Sequence, residues 1–259
     1  MLNNYSSSIL NVSGAKELLE LGSGSSKKTK VLILEALKEK DNLTYISFDI
    51  STKALKMSYN ELKNISSKLD IKLVQGDFIN DIEKLQSTKE PRLYLFLGST
   101  LGNFDNETAI KFLTNISQKM KKTDFLLLGI DKIKNKDVIK AAYNDKNGIT
   151  EKFNKNILNV INKEYNLNFQ PDKFNHLALY NEDKSQIEMY LKANSKQKID
   201  ILSEKIEINS GDKILTEISR KFSDTSINEI FEKSGLLSVK NFSDEKSYYS
   251  LYLLRSNQK

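Results

Sequence analysis

The sequence predicts an α/β protein in which parallel strands alternate with helices, with a second region of α+β character inserted late in the chain. Apolar runs and helical patterns alternate regularly over the first half of the 259 residues. Four successive apolar runs each end in a glycine, an acid or an amide. After residue 131 the strand-like segments change to a two-residue period, which is typical of antiparallel strands with one solvated face.

The first apolar run begins at Leu18 and ends in the turn Gly22-Ser-Gly24. A helical pattern over Thr29–Lys40 follows directly. A strand, a tight glycine turn and a helix N-terminus in this order bring backbone N–H groups close to a ligand. Glycine turns also end ordinary strands, so this turn is a weak signal by itself.

The rest of the first half continues the alternation of strands and helices. Further strands are predicted over Tyr45–Ile50, Ile71–Phe78, Arg92–Gly98 and Asp124–Asp131. Helices are predicted over Ser51–Leu69 and Asp105–Met120, with Ser51 and Asp105 as their N-caps. The last of these strands is a continuous apolar run, which is typical of a sheet covered on both faces.

The second half changes character before it returns to the main sheet. It contains predicted helices over Asn135–Tyr143 and Glu151–Tyr165, and predicted strands over Gln186–Leu191 and Lys205–Asn209. A short helix is then predicted over Ser226–Ser234, with Gly235 as its C-terminal cap. The last predicted strand, Tyr248–Leu254, returns to the main sheet. We therefore predict a sheet domain over residues 1–131 and 217–259, with an inserted region over residues 132–216.

Composition excludes several classes of function. No apolar stretch reaches the roughly 20 residues of a membrane span, and the N-terminus lacks the features of a signal peptide. The absence of cysteine excludes disulfides and thiolate metal sites and suits a cytoplasmic location. A single histidine, His176, argues against a histidine-based metal cluster. The net charge is +6, but lysines alternate with acids along the chain, which favours a solvated surface over a nucleic-acid interface.

The strand ends carry residues that fit a nucleoside. Lys27 replaces the third glycine of a pyrophosphate-binding Gly-x-Gly-x-x-Gly turn. Asp49 can accept hydrogen bonds from two ribose hydroxyls. Asp77 and Phe78 fit the amino edge and the face of adenine. Each acid alone is better explained as a cap or a turn residue, but together they favour a ligand with ribose and adenine and no diphosphate, namely S-adenosylmethionine (SAM).

A series of short motifs adds a specific resemblance. The motifs are Glu20–Thr29, Phe48–Ser51, Gly76–Phe78, Leu97–Phe104, Ala141–Asp145, Gly148–Thr150, Phe153–Asn154, Ile187–Met189 and Thr216–Phe222. In these motifs the chain closely resembles the SAM-dependent amino-acid Nα-methyltransferases of the histidine-betaine (ergothioneine-pathway) type. The resemblance extends from about Leu18 to Arg255, and it implies a Rossmann-like class I methyltransferase sheet with an inserted substrate-binding α+β region.

The resemblance also implies roles for individual residues. The implied SAM contacts are Gly22, Lys28, Asp49, Asp77 and Phe78. Asn103 is implied to hold the substrate's α-amino group, and Tyr143 to donate to its carboxylate. The implied imidazole pocket consists of Glu217 and Ser219, lined by Met189 and Thr150. From the residues alone, Glu217 fits an exposed position in a strand, and its apolar neighbours do not decide which face of the strand it occupies. Met189 fits plain core packing.

The implied reaction is methylation of the α-amino group of an amino acid, L-histidine first, up to the trimethyl betaine. Only Met1–Glu17 precede the apolar run that leads into the glycine turn, where the family has several tens of residues. We therefore expect an N-terminally shortened member, whose pocket a second polypeptide or a second copy completes or whose substrate is larger. The open alternatives are another amino acid, a peptide or an imidazole-bearing natural product as substrate, and a pseudoenzyme or partner subunit. An RNA substrate is disfavoured, because Gly98–Phe104 lacks the Asx-Pro-Pro-aromatic signature of base-amine methyltransferases.

Overall fold

A seven-stranded sheet forms the centre of the first of two units into which the chain divides. The computed structural model describes residues 1–201 and 204–257. The first unit comprises Met1–Lys132 and Phe222–Lys259, and the second comprises Ile133–Lys221. The predicted boundary between residues 216 and 217 falls inside a strand, and the second unit extends to Lys221 because that strand stays paired to its end. Residues 202–203 and 258–259 belong to the predicted domains but lie outside the described residues.

Five parallel strands and two later strands build the sheet of the first unit. The strands are β1 (Glu17–Leu21), β2 (Leu43–Asp49), β3 (Leu69–Gln75), β4 (Arg92–Phe96), β5 (Phe125–Asp131), β11 (Leu236–Ser243) and β12 (Tyr249–Ser256). Their spatial order is β11-β12-β5-β4-β1-β2-β3. The last strand was expected to return to the main sheet, and β12 does so, antiparallel to β5. The predicted α/β sheet is confirmed.

Helices cover both faces of this sheet, which explains why its central strands are continuous apolar runs. The helices are α1 (Leu2–Ser13), α2 (Lys30–Glu39), α3 (Thr52–Leu62), α4 (Asn106–Lys119) and α7 (Asp224–Lys233). One core cluster contains Leu19, Phe96 and Phe112, and the other contains Leu18 and Leu127. Alternate residues of one strand therefore belong to different cores.

Local capping and pairing decide where these helices begin and end. Ser51 accepts a hydrogen bond from the N–H of Ala54 at 3.2 Å, and Asp105 accepts one from Thr108 at 2.7 Å, so both predicted N-caps are confirmed. The helix predicted over Ser51–Leu69 ends at Leu62, because Leu69 already pairs with β2 as the first residue of β3. Helix α1 was not predicted from the sequence.

The second unit is an antiparallel sheet covered by two helices. Its main sheet has the order β10-β7-β6, formed by β6 (Phe174–Asn181), β7 (Gln186–Ala193) and β10 (Lys213–Arg220). A separate hairpin consists of β8 (Gln197–Ile201) and β9 (Glu204–Ile208). The helices are α5 (Lys136–Tyr143) and α6 (Ile149–Tyr165). No helix among the described residues combines the length and apolar character that a bilayer crossing requires.

Candidate active site

Hydrogen bonds to strand β2 and to the Asp49 side chain fix the glycine turn after β1. The N–H of Gly22 donates to the carbonyl of Phe48 at 2.8 Å. The N–H of Gly24 donates to Oδ2 of Asp49, and the N–H of Ser51 donates to Oδ1, both at 2.9 Å. Each carboxylate oxygen has a second lone pair, so Asp49 can still accept hydroxyl hydrogen bonds while it anchors the turn.

Gly22 and Phe78 lie against each other at the ends of β1 and β3. Gly22 has a φ of +69°, and a Cβ atom built on it would lie 3.2 Å from Cε1 of Phe78. The Phe78 ring packs edge-on against Phe96 and Phe112, with centroid separations of 5.4 and 5.7 Å. The core therefore fixes this ring, and a side chain at position 22 would displace it.

Asp77 caps the turn that it begins. Its Oδ1 accepts from the N–H of Ile79 at 2.9 Å, and its Oδ2 accepts from the side-chain amide of Asn80 at 2.7 Å. These bonds match the turn role that the residue types allow. They leave one lone pair on each oxygen for a ligand donor, as for Asp49.

Lys28 lines a cavity of about 430 Å³ together with Gly98 and Tyr249, near the end of β4. The Tyr249 hydroxyl accepts the N–H of Gly98 at 3.2 Å. Gly98 and Ser99 both adopt left-handed conformations, with φ of +85° and +65°. This conformation is strained for Ser99, which carries a Cβ atom, and such strain is often found at functional turns. Sequence reasoning did not single out Tyr249. The residue is the first of strand β12 and pairs with Asp131, the last residue of β5.

Asn103 ends the 3-10 turn Thr100–Asn103 that follows β4. Its side chain is exposed, and its amide has no hydrogen-bond partner in the described part of the chain. The fold itself therefore makes no use of this amide, which leaves both its donor and its acceptor for a ligand.

A buried polar network lies beneath the glycine turn. Glu20, at 5 % exposure, accepts hydrogen bonds from the hydroxyls of Thr29 and Tyr45, both at 2.5 Å. Burial raises the pKa of the Glu20 carboxyl to about 7, against the lowering effect of these two hydrogen bonds. Ser26 connects the network to helix α3 through Ser58, at 2.6 Å. This buried network therefore stabilises the glycine turn in addition to the hydrogen bond from Gly24 to Asp49.

In the second unit, Glu217 and Ser219 lie on one face of β10. They pair with Met189 and Ile187 of β7, whose side chains belong to a buried cluster with Ile139 of α5. A register shift between Leu215 and Glu217 leaves Thr216 as an extra residue. This β-bulge decides which face Glu217 occupies, which the alternation of neighbouring residues could not.

The Glu217 carboxylate is partly buried, and it accepts no hydrogen bond from any residue in the described ranges. Burial raises its pKa, and the positive charge of Lys221 partly offsets that effect. An ionised carboxylate in such surroundings is destabilised until a donor reaches it.

Tyr143, Ser219 and Lys221 form a hydrogen-bonded triangle beside Glu217. The Tyr143 hydroxyl donates to Oγ of Ser219 at 2.7 Å, and Nζ of Lys221 donates to both oxygens, at 3.0 and 2.8 Å. The structure thus brings together two residues that the resemblance assigns to different parts of the substrate. Lys221 was missed, although the motif Thr216–Phe222 contains it.

A chain of hydrogen bonds fixes the end of α5, from which Tyr143 projects. Thr216 contacts Oδ1 of Asn154 at 2.6 Å, the Asn154 amide contacts Nδ1 of His176 at 2.9 Å, and Nε2 of His176 contacts the Tyr143 carbonyl at 2.9 Å. The single histidine of the chain therefore bridges α5 and α6. Within residues 1–201 and 204–257, no three His, Cys, Asp or Glu side chains are grouped to bind a metal ion.

Met189 and Thr150 have different surroundings. Met189 is buried in the same cluster as Tyr143, opposite Glu217. Thr150, in the first turn of α6, donates its N–H to Asp145 at 2.8 Å. That bond is the largest cause of a lowering of the Asp145 pKa to about 2. Met189 therefore packs in the same apolar cluster as Tyr143, whereas Thr150 lies in the first turn of α6 and is not part of that cluster.

The chain is similar to known proteins over nearly its whole length. A family model described as "histidine-specific methyltransferase, SAM-dependent" matches residues 1–256. A histidine N-alpha-methyltransferase of Mycobacterium tuberculosis is 33% identical over 98% of this chain and 79% of its own length. One from Mycolicibacterium smegmatis has the same identity and coverage.

A crystal structure of a SAM-dependent methyltransferase from Clostridium acetobutylicum superposes with a TM-score of 0.55 at 11% identity, covering 99% of this chain and 91% of that chain. This likeness shows the Rossmann-like fold of class I methyltransferases. The family match extends over nearly the whole chain and includes every candidate residue described above. The chain therefore belongs to the SAM-dependent, histidine-specific methyltransferases, and SAM is its methyl donor.

Proposed function

We propose that this chain methylates the α-amino nitrogen of free histidine, up to the trimethylated betaine. The observation that carries the proposal is the partly buried Glu217 carboxylate, which lacks a hydrogen-bond partner among the described residues and shares a strand face with Ser219. An unsatisfied buried acceptor costs about 1–3 kcal/mol, which a ligand N–H would offset. The imidazole of histidine offers such an N–H on one side and an acceptor nitrogen on the other.

The names of the relatives support the same substrate. The two mycobacterial proteins described above are each called histidine N-alpha-methyltransferase, and this chain covers 79% of each. The residues that we assign to imidazole recognition, Glu217 and Ser219, fall inside the aligned region, which includes 98% of this chain.

The first unit fits the methyl donor. We propose that Asp49 binds the ribose hydroxyls through its unused lone pairs, and that Asp77 and Phe78 bind the adenine edge and face. Gly22 keeps the cradle open, because a Cβ atom there would meet the Phe78 ring. Lys28 lines the cavity near the end of β4 and suits the carboxylate of the donor's methionine part. When bound, SAM supplies an electrophilic methyl group.

Asn103 and Tyr143 are the proposed residues for the amino-acid end of the substrate. The Asn103 amide oxygen can accept an amine N–H and so orient the nitrogen lone pair, and the Tyr143 hydroxyl can reach a carboxylate by turning away from Ser219. Correct orientation of two reactants can supply roughly 7–11 kcal/mol of the barrier. No metal or covalent intermediate is required, and the amine proton can leave to solvent.

Met189 and Thr150 complete the proposed pocket wall. Met189 supports this role through its place opposite Glu217 in the apolar cluster, where its thioether can contact a ring face. Thr150 supports it less directly, through its position in the motif at the start of α6.

A methylation assay tests the proposal. The purified chain is incubated with SAM and a panel of free amino acids, an imidazole-bearing peptide and imidazole-bearing small molecules, and the products are identified by mass spectrometry. We expect mono-, di- and trimethylated histidine and no comparable product from the other compounds. Methylation of another compound in place of histidine, or no product although SAM binds, would contradict the proposal.

Two further expectations stay predictions. Completion of the pocket by a second copy or another polypeptide predicts a complex in sedimentation experiments and activity that rises with protein concentration. A cytoplasmic location predicts recovery in the cytosolic fraction of the source cell.

A further inference from the structure

Tyr249 is a tyrosine to which neither the resemblance nor the proposed function gives a role. Its hydroxyl accepts the N–H of Gly98 at 3.2 Å, and the side chain of Ser99 is a second hydrogen-bond partner of the same oxygen. Burial raises the pKa of the phenol, so the group stays neutral at ordinary pH. Tyr249 therefore contacts both residues of the turn that leads from β4 toward Asn103.

A glycine on β5 makes room for this hydroxyl. Gly129 lies in a run of buried strand residues, and a Cβ atom built on it would overlap the hydroxyl oxygen of Tyr249 and lie 2.9 Å from Cζ of the ring. The same atom would lie 3.4 Å from the backbone nitrogen of Gly98. A side chain at position 129 would therefore occupy the space in which Gly98 and Tyr249 form their hydrogen bond.

The backbone that Tyr249 contacts is in a strained conformation. Gly98 and Ser99 both have left-handed φ angles, of +85° and +65°. Glycine adopts such angles readily, whereas a residue with a Cβ atom is disfavoured there. Strain of this kind persists only where the surrounding structure holds it. The hydrogen bonds with Tyr249 supply that restraint at Ser99 and at the residue before it.

The strained turn leads directly into the 3-10 turn that ends at Asn103. The N–H of Gly102 donates to the carbonyl of Ser99 at 2.9 Å, so the position of Ser99 determines where this 3-10 turn begins. After Asn103, the side chain of Phe104 packs against the core of the first unit. The core therefore holds one end of the segment, and Tyr249 holds the other.

We propose that Tyr249 is a positioning residue that holds the strained turn at Gly98 and Ser99 and thereby fixes where the Asn103 amide meets the substrate's amino nitrogen. The inference rests on the proposed function, in which the Asn103 amide oxygen accepts an amine N–H. The proposed contacts of SAM and histidine use neither the Gly98 N–H nor the Tyr249 hydroxyl, so their hydrogen bond can persist in the complex. A misplacement of about 1 Å can slow a transfer between oriented reactants about 100-fold, so a small shift of this turn lowers kcat.

Tyr249→Phe tests this role, because it keeps the ring and removes only the hydroxyl. At saturating SAM we expect kcat for histidine to fall about 3- to 10-fold. The KM for histidine should stay within about twofold of wild type, because the imidazole and carboxylate contacts remain. A tyrosine that only stabilises the fold would leave the kcat of the folded variant unchanged.

Tyr252→Phe is the matched control. Tyr252 lies on the same strand but packs in the other core cluster, and its hydroxyl donates to Asp224 at 2.7 Å. This variant also loses one tyrosine hydroxyl and its hydrogen bond. It should lose stability and keep the kcat of wild type.

A double-mutant cycle shows whether Tyr249 acts through Asn103. In the Asn103→Ala background, Tyr249→Phe should change kcat by less than about twofold, because the group that it positions is absent. Equal effects of Tyr249→Phe with and without Asn103, or an unchanged kcat in Tyr249→Phe alone, would overturn the inference and leave the proposed function intact. Full activity of Asn103→Ala, or no methylhistidine from the wild type, would instead contradict the proposed function on which the inference rests.

Ser99→Gly provides a second test that keeps Asn103 in place. Glycine adopts the left-handed conformation without strain, so the turn should no longer depend on the phenol. With Ser99→Gly as the reference, the further change Tyr249→Phe should lower kcat by less than about twofold. An undiminished loss in this background would show that the phenol does not act by holding the strained turn, and it would overturn the inference.

Discussion

The two units hold their candidate site residues in different ways. In the first unit, Asp49 and Asp77 already accept hydrogen bonds from backbone or neighbouring side chains, and each of their carboxylate oxygens keeps one lone pair. In the second unit, Glu217 accepts none from the described residues, while Ser219 and Tyr143 are held by a buried lysine. The two acids of the first unit therefore contribute to the fold without a ligand, whereas Glu217 accepts a hydrogen bond only if a ligand supplies the donor, as we propose.

The largest effect is expected at Glu217, the acid of the second unit that has no partner among the described residues. Glu217→Ala should lower kcat/KM for histidine about 1,000-fold, equivalent to about 4 kcal/mol, because the ring N–H loses its charged acceptor. The free energy of unfolding should stay the same or rise, because burial of this carboxylate is unfavourable in the free protein. Steady-state kinetics and urea titration measure the two quantities.

Glu207→Ala is the matched control for this experiment. Glu207 lies in β9 of the same unit, where it is exposed and paired with Lys196 and Lys198. Its removal should change neither kinetics nor stability by a comparable amount. A strong loss of stability in Glu217→Ala would show that the fold depends on this carboxylate, and the contrast between the units would fail.

The pH dependence of stability tests the first unit. Glu20 has a pKa raised from 4.5 to about 7 in the folded protein, so between these values the folded state retains a proton that the unfolded chain has released. Its contribution to stability is therefore present at low pH, declines as the pH rises from about 4.5 to about 7, and is constant above. The decline amounts to about 3 kcal/mol.

Denaturant unfolding at a series of pH values measures this slope. Glu20→Gln keeps the hydrogen-bonding shape without the titration, so the difference between wild type and variant isolates Glu20 from the other acids. Parallel curves for the two proteins would contradict the raised pKa.

A smaller effect concerns the contact between Gly22 and Phe78. Gly22→Ala should cost about 1–2 kcal/mol for its left-handed backbone and about 1 kcal/mol more for pressure on the Phe78 ring. Gly14→Ala is the control, because Gly14 has a similar φ of +57° and open space around its Cβ position. Calorimetry should show weaker SAM binding in Gly22→Ala alone. Equal losses of stability and affinity in both variants would show that the ring contact is unimportant.

Sequence reasoning was strongest in the first unit. Its candidate site residues lie at or just after the ends of strands, so they could be located from apolar runs and turn residues, as for Gly22 and Asp49. The end of helix α3 was placed too late, because pairing of Leu69 with β2 overrides the helical pattern that precedes it.

The second unit was less accessible to the same reasoning. The face of Glu217 depends on a β-bulge at Thr216, and the contact of Tyr143 with Ser219 joins residues that are 76 positions apart. Neither feature has a local sequence signal, because each arises from tertiary packing. Lys221 could have been noticed only as a charged residue beside a strand whose alternate residues are buried.

The smallest expected effect belongs to Asn103, an exposed residue of the first unit that resembles Glu217 in having no partner within the described chain. Asn103→Ala should leave the free energy of unfolding within about 0.5 kcal/mol of wild type. It should lower kcat for histidine at least about tenfold, or about 1.4 kcal/mol, because the amine loses its orienting acceptor. The affinity for SAM should stay unchanged in calorimetry. Full activity would remove Asn103 from the proposed site, whereas a loss of stability would show that the fold uses its amide after all. Unchanged stability together with a lowered kcat would show that both units contain a side chain that the fold leaves without a partner and that the substrate uses. The difference between Asp49 and Glu217 would then reflect whether a residue binds SAM or the substrate, and not the unit in which it lies.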